Sequence, residues 1–350
     1  MNSNLLIAGP CAAESERQLL DIASELALIG VKHFRAGVWK PRTKPGLFEG
    51  AGDRALDWLA RVKRLYGMEV YTEVATPAHL AAAAAAGIDG VWLGARTSAN
   101  PFAVQQIADA FGALEPEQRK AMTVMVKNPV NPDLDLWIGA IERMRLAGAS
   151  KIIAVHRGFS FYGSKLYRNE PCWAIPIELR RRMPDVPVIC DPSHIGGSRS
   201  LVAPLAMQAM DMGFNGLIVE VHSQPDSALS DARQQITPSR LADLLAALDS
   251  RKKGGHDACL DALRAEIDRV DDNILALLTR RMEIARHIGA LKRQHGLSVV
   301  QPHRYNSLME RYAANAADMG LSADFVRKIL ATIHEESVRC QINDNLTPDK

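Results

Sequence analysis

Residues 123–156 read TVMVKNPVNPDLDLWIGAIERMRLAGASKIIAVH and contain one complete strand–helix–strand unit. The outer runs, 123–127 and 151–156, are short and rich in β-branched residues, whereas residues 132–147 carry apolar side chains at helical spacing. Strands that alternate with helices predict a parallel sheet, because each helix returns the chain to the starting edge of that sheet.

The unit recurs through the first 248 residues of the chain. We predict strands at 5–9, 32–36, 69–74, 90–94, 123–127, 151–156, 186–190 and 216–221. The helical stretches between them include 14–29, 53–66, 77–86, 132–147 and 200–212. Eight such units in about 250 residues are typical of an α/β fold of the (β/α)8 TIM-barrel type, whereas the competing doubly wound sheet usually has fewer strands. We therefore predict a TIM barrel over residues 1–248.

Composition narrows the functional classes before any motif is considered. The chain has 350 residues, 47% of them hydrophobic and 23% charged, which is typical of a globular protein of about two domains. Its 42 basic and 40 acidic residues give a net charge of +2, so the overall charge gives no support to nucleic-acid binding. No apolar run approaches the roughly 18 residues of a membrane span, and the first residues do not resemble a signal peptide. The five cysteines show no paired spacing, so we expect a reduced, cytoplasmic protein.

The C-terminal part of the chain follows a different pattern. Residues 249–257 are charged and contain two glycines, which predicts a linker. Apart from one gap, apolar residues then recur every three or four positions: Leu260, Leu263, Ile267, Val270, Ile274, Leu277, Ile284, Ile288 and Leu291. This spacing predicts a long amphipathic helix over 259–295, followed by shorter helices at 303–318 and 323–344. Three helices of such unequal length cannot enclose the apolar seam, so we predict an all-α domain over 258–350 that forms a homodimer.

Basic residues follow several of the predicted barrel strands. At the carboxyl ends of the strands, where a TIM barrel holds its chemistry, the sequence places six cations: Arg35, Lys40, Arg42, Arg96, Lys127 and Arg157. A single cation at the start of a loop is common on any protein surface. Six on one face would repel one another unless anions bind there, and phosphate and carboxylate groups are anions that arginine and lysine bind well. This face therefore predicts anionic substrates.

A second group of residues combines a thiol, an imidazole and two carboxylates. Cys11 follows the first strand, His194 the seventh, and Glu220 and Asp231 follow the eighth. Since the first and eighth strands are neighbours in a closed barrel, these four side chains can meet. Mixed sulfur, nitrogen and oxygen ligands suit a divalent transition metal, such as Mn, Fe, Co or Zn, rather than magnesium or calcium. A buried cysteine beside hydrogen-bonded polar groups fits the same spacing.

Seven short motifs occur in order along the barrel, namely Gly-Pro-Cys11, Lys-Pro-Arg-Thr43, Gly-Ala-Arg96, His-Arg-Gly158, Asp-Pro-Ser-His194, Glu-Val-His222 and Ala-Leu-Ser-Asp231. As a set they resemble the 3-deoxy-D-arabino-heptulosonate 7-phosphate (DAHP) synthases of the type I beta group, over residues 5–248. The resemblance implies a metal-dependent condensation of phosphoenolpyruvate with erythrose 4-phosphate, the entry step of the shikimate pathway. A sister enzyme makes the eight-carbon 3-deoxy-D-manno-octulosonate 8-phosphate from arabinose 5-phosphate. That enzyme usually carries an Ala-Asn-Arg-Ser type of loop where this chain has Lys-Pro-Arg-Thr43.

The resemblance also implies roles for individual residues of the barrel. The implied metal ligands are Cys11, His194, Glu220 and Asp231. The implied phosphoenolpyruvate-binding residues are Arg35, Lys40, Arg96, Lys127 and Arg157, and those for erythrose 4-phosphate are Arg42 and Thr43. Lys40 lies at the junction of the two substrate sites, so we expect it to move or screen protons in catalysis. Metal-bound water and His194 are the alternatives for that role.

Cations interrupt the apolar seam of the C-terminal part. Arg281 lies in the gap between Leu277 and Ile284, and Arg264 and Lys292 lie beside seam positions. Since burying an unpaired cation costs several kcal/mol, these residues need anionic partners. Arg281 could pair with acidic residues across a dimer and fix its register, or the three cations could form a pocket for a dianionic ligand.

Residues 258–345 resemble the all-helical AroQ-type chorismate mutases. The motifs that carry this resemblance are Leu263-Arg264, Arg280-Arg281, Gly289-Ala-Leu-Lys292, His303-Arg304 and Glu336-Ser337-Val-Arg-Cys-Gln341. The resemblance implies the rearrangement of chorismate to prephenate. It implies that Arg264 reaches into the partner's site, and that Arg281 and Arg304 bind the substrate carboxylates. It also implies that Lys292 and Gln341 contact the ether oxygen, with Ser337 nearby.

Two positions depart from that family's pattern. Members commonly have acidic residues near the substrate hydroxyl where this chain has Gln301 and Tyr305. Two hypotheses therefore stand: a bifunctional DAHP synthase and chorismate mutase, or a DAHP synthase whose helical tail is a non-catalytic dimerisation module that senses chorismate or prephenate. We also expect a ligand of the tail to regulate the barrel allosterically.

Overall fold

The computed structural model describes residues 5–40, 46–163, 166–251 and 258–343. The chain divides into two compact units, Met1–Lys253 and Gly254–Lys350. The predicted linker, 249–257, begins within a helix that continues to Arg251, and its remaining residues, 252–257, lie outside the described part of the chain.

The first unit is a closed barrel of eight parallel strands in sequential order, so the predicted TIM barrel is confirmed. The strands are β1 (Leu5–Gly9), β2 (His33–Arg35), β3 (Glu69–Val74), β4 (Gly90–Leu93), β5 (Thr123–Lys127), β6 (Lys151–His156), β7 (Val188–Cys190) and β8 (Gly216–Glu220). The strand β1 pairs with β8 over its whole length, from Leu5 opposite Gly216 to Gly9 opposite Glu220. This pairing closes the barrel and leaves no sheet edge exposed.

Helices follow the strands and surround the barrel. They are α1 (Glu16–Leu28), α2 (Arg54–Tyr66), α3 (Pro77–Ala85), α4 (Ala95–Ser98), α5 (Pro101–Gly112), α6 (Pro116–Ala121), α7 (Leu134–Leu146), α8 (Ala174–Arg182), α9 (Pro192–Gly196), α10 (Arg199–Asp211) and α11 (Pro238–Arg251). Side-chain caps fix several of their first turns, because a free backbone N–H there needs an acceptor. The Ser15 hydroxyl, for example, accepts from the backbone N–H of Gln18 at 3.1 Å.

The alternation of side chains along the strands creates two layers of core. One buried cluster fills the inside of the barrel, and its members are Ile7, Tyr71, Trp92, Met125, Val155, Ile189 and Ile218. The larger cluster packs between the strands and the helices, with Phe34 of β2 and Trp137 of α7 among its largest members. Because both faces of the sheet are covered, most side chains between the ends of the strands are apolar and buried.

Gly9 sets the spacing at one of those ends. A Cβ atom at this position would lie 2.1 Å from the carbonyl oxygen of Arg35 in β2. Only glycine permits that approach. The residue also pairs with Glu220 of β8, so the close packing brings the ends of β1, β2 and β8 together where polar side chains begin.

The second unit contains three long helices, α12 (Ala258–Gln294), α13 (Pro302–Ala314) and α14 (Ala323–Asn343). With 37 residues, α12 is about 55 Å long. The helix predicted at 303–318 ends earlier, at Ala314, because the N–H of Ala316 bonds to the carbonyl of Ala313, three residues back. That bond is typical of the tighter 3₁₀ geometry at helix ends.

Gly289 allows α12 and α14 to pack closely. A Cβ atom there would lie 3.0 Å from Cγ of Gln341 and 3.1 Å from its Cα. Among the described residues, no helix combines the length and the apolar character that crossing a bilayer requires.

Candidate active sites

Three of the four predicted metal ligands meet at the carboxyl end of the barrel. Cys11, Glu220 and Asp231 each offer a ligand atom, and these atoms all lie within 4.8 Å of one another. Cys11 follows β1, Glu220 ends β8, and Asp231 lies in the segment before α11. The Cys11 thiol donates to Oδ2 of Asp231 at 3.4 Å. Asp231 has a positive φ of 51°, an unusual backbone conformation that aspartate tolerates better than most residues.

The fourth predicted ligand, His194, lies beside this cluster. Its Nε2 is 3.8 Å from Oε1 of Glu220, and its Nδ1 is 2.8 Å from Oδ2 of Asp191. Burial lowers the pKa of His194, which favours the neutral imidazole. With one imidazole nitrogen close to the Asp191 carboxylate, the neutral ring can offer its other nitrogen to a metal.

The thiol of Cys11 is chemically suited to a metal. Burial, followed by the negative charge of Glu220, raises its pKa to about 12 in spite of the nearby cations Lys40 and Arg35, so the thiol keeps its proton when no metal ion is bound. A divalent transition metal would favour the thiolate and displace that proton. One thiol, one imidazole and two carboxylates therefore fit such a metal by donor type.

Two of the predicted cations are buried beneath the mouth of the barrel. The Arg35 guanidinium is 3.2 Å from Oε1 of Glu220, and the Lys127 ammonium is 2.8 Å from Oδ2 of Asp191. Both cations also face the ring of Trp92, at 4.8 and 5.7 Å from its centre. Two nitrogens of Arg35 are buried and have no hydrogen-bond partner among the residues that the structure describes. A bound anion would satisfy them, since leaving buried donors unpaired is costly.

Lys40 and Arg157 also approach the site, Lys40 from the segment after β2 and Arg157 from the end of β6. The Lys40 ammonium donates to the carbonyl of Cys11 at 3.1 Å. The Arg157 guanidinium donates to Oδ1 of Asn169 at 2.6 Å, and burial lowers its pKa to about 10, so it remains a cation at neutral pH. Asn169 in turn donates to the carbonyl of His194 at 2.7 Å, which links the cation to the metal cluster.

Several of these groups border a common cavity of about 640 Å³, whose described lining does not include Cys11, Glu220 or Arg35. Its walls include His194 and Asp231 and five cations, namely Lys40, Arg96, Lys127, Arg157 and Arg168. The cavity thus joins the candidate metal cluster to the predicted anion-binding residues. The predicted sugar-phosphate residues Arg42 and Thr43 lie outside the described part of the chain.

The sequence pattern gave no indication of Arg168 and Gln234. Arg168 Nη1 lies 3.1 Å from Oδ1 of Asp231 and 2.6 Å from Oε1 of Gln234. The Gln234 amide donates to Oε2 of Glu220 at 2.7 Å. Both carboxylates of the cluster are therefore oriented by one connected network. Arg168 lies between β6 and α8, at no strand end, so spacing could not have singled it out.

The helical unit contains a separate cavity of about 420 Å³. Five of the six predicted binding residues line it: Arg281, Lys292, Arg304, Ser337 and Gln341. Its remaining walls are mostly aliphatic and also include Gln301, Tyr305 and His334. The sixth residue, Arg264, is exposed and does not line this cavity.

Hydrogen bonds fix several side chains of this helical cavity. Arg281 donates to the Ser337 hydroxyl, which itself donates to the carbonyl of Ile333 at 2.7 Å. Lys292 donates to the carbonyl of Val299 at 2.7 Å. Gln341 is only 8% exposed, and its Nε2 donates to the carbonyl of Ser337 at 3.2 Å. Its Oε1 has no hydrogen-bond partner among the residues that the structure describes, so this oxygen is available to a ligand.

The predicted apolar seam of α12 is exposed. The side chains of Ile267, Val270, Ile274, Leu277, Ile284, Ile288 and Leu291 are between 41% and 66% accessible. A contiguous apolar face of this kind is unusual for an isolated soluble unit and marks an interaction surface.

A closed parallel barrel with a thiol–imidazole–carboxylate cluster beside a cationic cavity is typical of barrel enzymes that act on anions. Residues 2–254 match the DAHP synthetase I family, and the chain belongs to that family. Residues 263–342 match chorismate mutase type II.

Known proteins similar to the barrel support this assignment. A phospho-2-dehydro-3-deoxyheptonate aldolase of Thermotoga maritima is 34% identical over 231 residues, which are 66% of this chain and 64% of the relative. The chain thus spans less than two thirds of that relative's length. A 2-dehydro-3-deoxyphosphooctonate aldolase of Polaromonas naphthalenivorans is 28% identical, and the match covers 69% of this chain and 88% of that relative.

Two solved structures of DAHP synthase are also similar to this chain. The crystal structure of the Thermotoga maritima DAHP synthase superposes with a TM-score of 0.62 at 30% identity, covering 71% of this chain and 69% of that one. A truncated form of the same organism's enzyme gives a TM-score of 0.59 at 28% identity, covering 71% and 86%.

Proposed function

We propose that this chain is a bifunctional enzyme that makes DAHP in its barrel and converts chorismate to prephenate in its helical unit. The observation that carries the proposal is the presence of two cavities that are lined by cations but differ in their other side chains. The barrel cavity joins five cations to a candidate metal cluster. The helical cavity has cations and amides but no nucleophilic thiol and no metal-binding cluster among its described lining residues.

In the barrel, the proposed reaction forms one carbon–carbon bond. C3 of phosphoenolpyruvate attacks the aldehyde carbon of erythrose 4-phosphate, and the aldehyde oxygen takes up a proton. Water then adds to the cationic C2 of the former phosphoenolpyruvate, and inorganic phosphate leaves from the same carbon. The products are DAHP and phosphate.

The cations of the barrel would hold two mutually repelling substrates. Arg35, Lys127, Arg96, Arg157 and Lys40 would bind phosphoenolpyruvate, and Arg42 with Thr43 would bind the sugar phosphate. Positioning both substrates removes much of the entropic barrier to a reaction between two molecules. We assign the proton movement at the aldehyde to Lys40, whose ammonium group borders the cavity and donates to the carbonyl of Cys11.

We infer a divalent transition metal as the cofactor. Cys11, His194, Glu220 and Asp231 would hold it, and when bound it would supply Lewis-acid polarisation of the aldehyde oxygen. Arg168 and Gln234 would keep the two carboxylates in position through their hydrogen bonds.

In the helical unit, the proposed reaction is unimolecular and needs neither acid, base nor metal. Arg281 and Arg304 would bind the two carboxylates of chorismate. Negative charge grows on the breaking ether oxygen, and Lys292 with the Gln341 amide would stabilise it. The buried amide of Gln341 supports this role, because its NH₂ group donates one N–H to the carbonyl of Ser337 and has a second N–H to donate to a ligand.

We further propose that the helical unit is a homodimer. The exposed apolar face of α12 supports this arrangement, and a second copy would supply Arg264 to the cavity. The free thiols of Cys11, Cys172, Cys190 and Cys340 support a reducing, cytoplasmic location.

The helical tail has one alternative function, favoured by Gln301 and Tyr305 in the cavity wall. It could bind chorismate or prephenate without turnover and act only as a dimerisation and sensing module. The deciding assay follows the ultraviolet absorbance of chorismate with the intact chain and excess EDTA. Rapid loss of chorismate with formation of prephenate supports catalysis, whereas calorimetric binding without turnover supports the sensor.

The barrel reaction has its own test. Phosphate release from phosphoenolpyruvate should require erythrose 4-phosphate and the metal. Arabinose 5-phosphate, the substrate of the sister enzyme, is the matched control. A higher kcat/KM with arabinose 5-phosphate than with erythrose 4-phosphate would reject the proposed substrate.

A further inference from the structure

His334 lies in the wall of the helical cavity and has no place in the proposed chemistry so far. It belongs to α14, and its ring packs on that of Tyr305 from α13, with 4.4 Å between ring centres and 38° between ring planes. Both side chains are half-buried. Neither the two imidazole nitrogens nor the Tyr305 hydroxyl forms a hydrogen bond with any residue that the structure describes.

The charged side chains that line the cavity together with His334 are all cationic. Arg281 and Lys292 border the same cavity from α12, and Arg304 borders it from α13. No aspartate or glutamate is among the described residues that line it. On α14 itself, Glu336 is engaged by Arg339 at 2.8 Å and does not line the cavity.

This environment favours a neutral imidazole while the cavity contains only solvent. Burial, followed by the positive charges of Arg281 and Lys292, lowers the pKa of His334. A dianionic ligand would reverse the sign of the field, because its carboxylates would pair with the cations and lie within the same cavity. The Tyr305 ring beside the imidazole would also stabilise a positive charge there through a cation–π contact.

We propose that His334 is a further binding residue of the helical cavity, whose imidazole takes up a proton when a dianion enters and then donates a hydrogen bond to that ligand. The inference rests on the proposed binding of chorismate and prephenate in this cavity. It makes the affinity for a dianion depend on a fourth positive charge that the free protein does not carry at neutral pH.

The direction of the pH dependence follows from linkage. The bound state holds the proton more tightly than the free state, so affinity rises as the pH falls through the pKa of His334 in the complex. The gain is complete once the pH is below the lower pKa of His334 in the free protein. Because one group is involved, the logarithm of Kd changes by at most about one per pH unit.

The test is isothermal titration of the full-length protein with prephenate, in pairs of buffers that differ in their ionisation enthalpy. Between pH 7.5 and 6.0 we expect proton uptake on binding and a Kd that falls about three- to ten-fold. The variant His334→Asn cannot take up the proton, so its Kd should be flat over this range. His287→Asn and His303→Asn, which alter histidines that do not line this cavity, are the matched controls and should behave as the unmodified protein does.

The possible results of this titration distinguish the role of His334 from the mutase proposal itself. Prephenate binding without proton uptake, or equal uptake in His334→Asn, overturns the role of His334 but leaves the mutase proposal intact. If the unmodified protein neither binds prephenate nor converts chorismate, the mutase proposal is overturned as well. Nuclear magnetic resonance of labelled histidines in the unmodified protein avoids any folding defect of the variant. There, the His334 signal must titrate at a higher pH with prephenate than without it.

Discussion

The two cavities differ in how completely one chain builds them. In the barrel, Arg35 and Glu220 are fully buried and Lys127 is 4% exposed, and each of these groups has an oppositely charged partner from another strand or loop of the same unit. In the helical unit, Arg304 is exposed and the longest helix presents an uncovered apolar face. The closed barrel buries the charged groups of its site, whereas the three helices leave parts of their cavity wall exposed.

The difference has a simple physical origin. Eight parallel strands with helices around them bury both faces of the sheet, and the closed register leaves no unpaired edge. A helix about 55 Å long exceeds the two helices that pack on it, so part of its apolar stripe has no cover within one copy. The barrel should therefore function as a single unit, and the helical site should depend on a partner.

Metal removal is expected to produce the largest difference between the activities of the two units. Chelation with EDTA should reduce DAHP formation to background, because the thiol, imidazole and two carboxylates would lose the metal cation that we propose they bind. Chorismate turnover in the same sample should not change. Loss of both activities in parallel would contradict the separation of the two sites, and restoration of condensation by added Mn²⁺ is the control.

Arg281→Ala should produce the converse loss. Removal of a cation that would pair with a substrate carboxylate should lower kcat/KM for chorismate by about a hundred-fold or more. Arg280→Ala, which changes the exposed neighbouring arginine, is the matched control and should retain turnover. Unchanged chorismate kinetics in Arg281→Ala would mean that the pocket lies elsewhere, while DAHP formation serves as the check on folding.

A charge on the apolar face of α12 tests the need for a partner. Ile274→Glu should weaken self-association by about two orders of magnitude or more, because an unpaired carboxylate would be buried in an apolar interface. Analytical ultracentrifugation and chorismate turnover should both report this loss, with condensation intact. Asp272→Glu, on the opposite side of the helix, is the control. A variant that remains a dimer and stays active would contradict an interface on this face.

Arg168→Ala examines how the barrel holds its own cluster together. The variant should bind its metal about ten-fold more weakly, as is typical when a residue that orients metal ligands is lost. Competition with a chromogenic chelator, without substrates, measures that affinity directly. An unchanged metal Kd together with a raised KM for phosphoenolpyruvate would instead make Arg168 a substrate-binding cation.

The smallest expected effect is an allosteric one, in which a ligand of the helical unit changes the activity of the barrel. Prephenate should change the rate of DAHP formation by about five-fold, which corresponds to a coupling free energy near 1 kcal/mol. Condensation rates are measured against prephenate concentration, first with the unmodified chain and then with Arg281→Ala. A flat response in the unmodified chain would refute allosteric control through the helical unit.

The sequence alone predicted the barrel because strand and helix periods differ so clearly. All eight predicted strands lie within two residues of the observed ones, and the residues that follow them approach one another because parallel strands end on one face. The same rule explains why Cys11 and Glu220, separated by most of the barrel sequence, lie side by side.

Residues away from the strand ends could not be found in this way. Trp92 reads as an ordinary core position of β4, yet its ring faces both Arg35 and Lys127. Arg168 and His334 have no periodic signal, since their positions depend on the path of a loop and on the packing of two helices. The exposure of the apolar face of α12 was predicted from the helix lengths alone, because two short helices cannot cover a long one.

The uncovered face of α12 has a consequence for the proportion of the two activities. An enzyme that acts as a single unit has a specific activity that does not change on dilution, whereas one completed by a second copy follows mass action. As the protein is diluted toward the dissociation constant of its dimer, prephenate formation should fall faster than DAHP formation. The fused chain would fix the gene dosage of the two reactions at one to one without fixing the ratio of their rates. The ratio of prephenate formation to DAHP formation would therefore depend on the concentration of the protein in the cell.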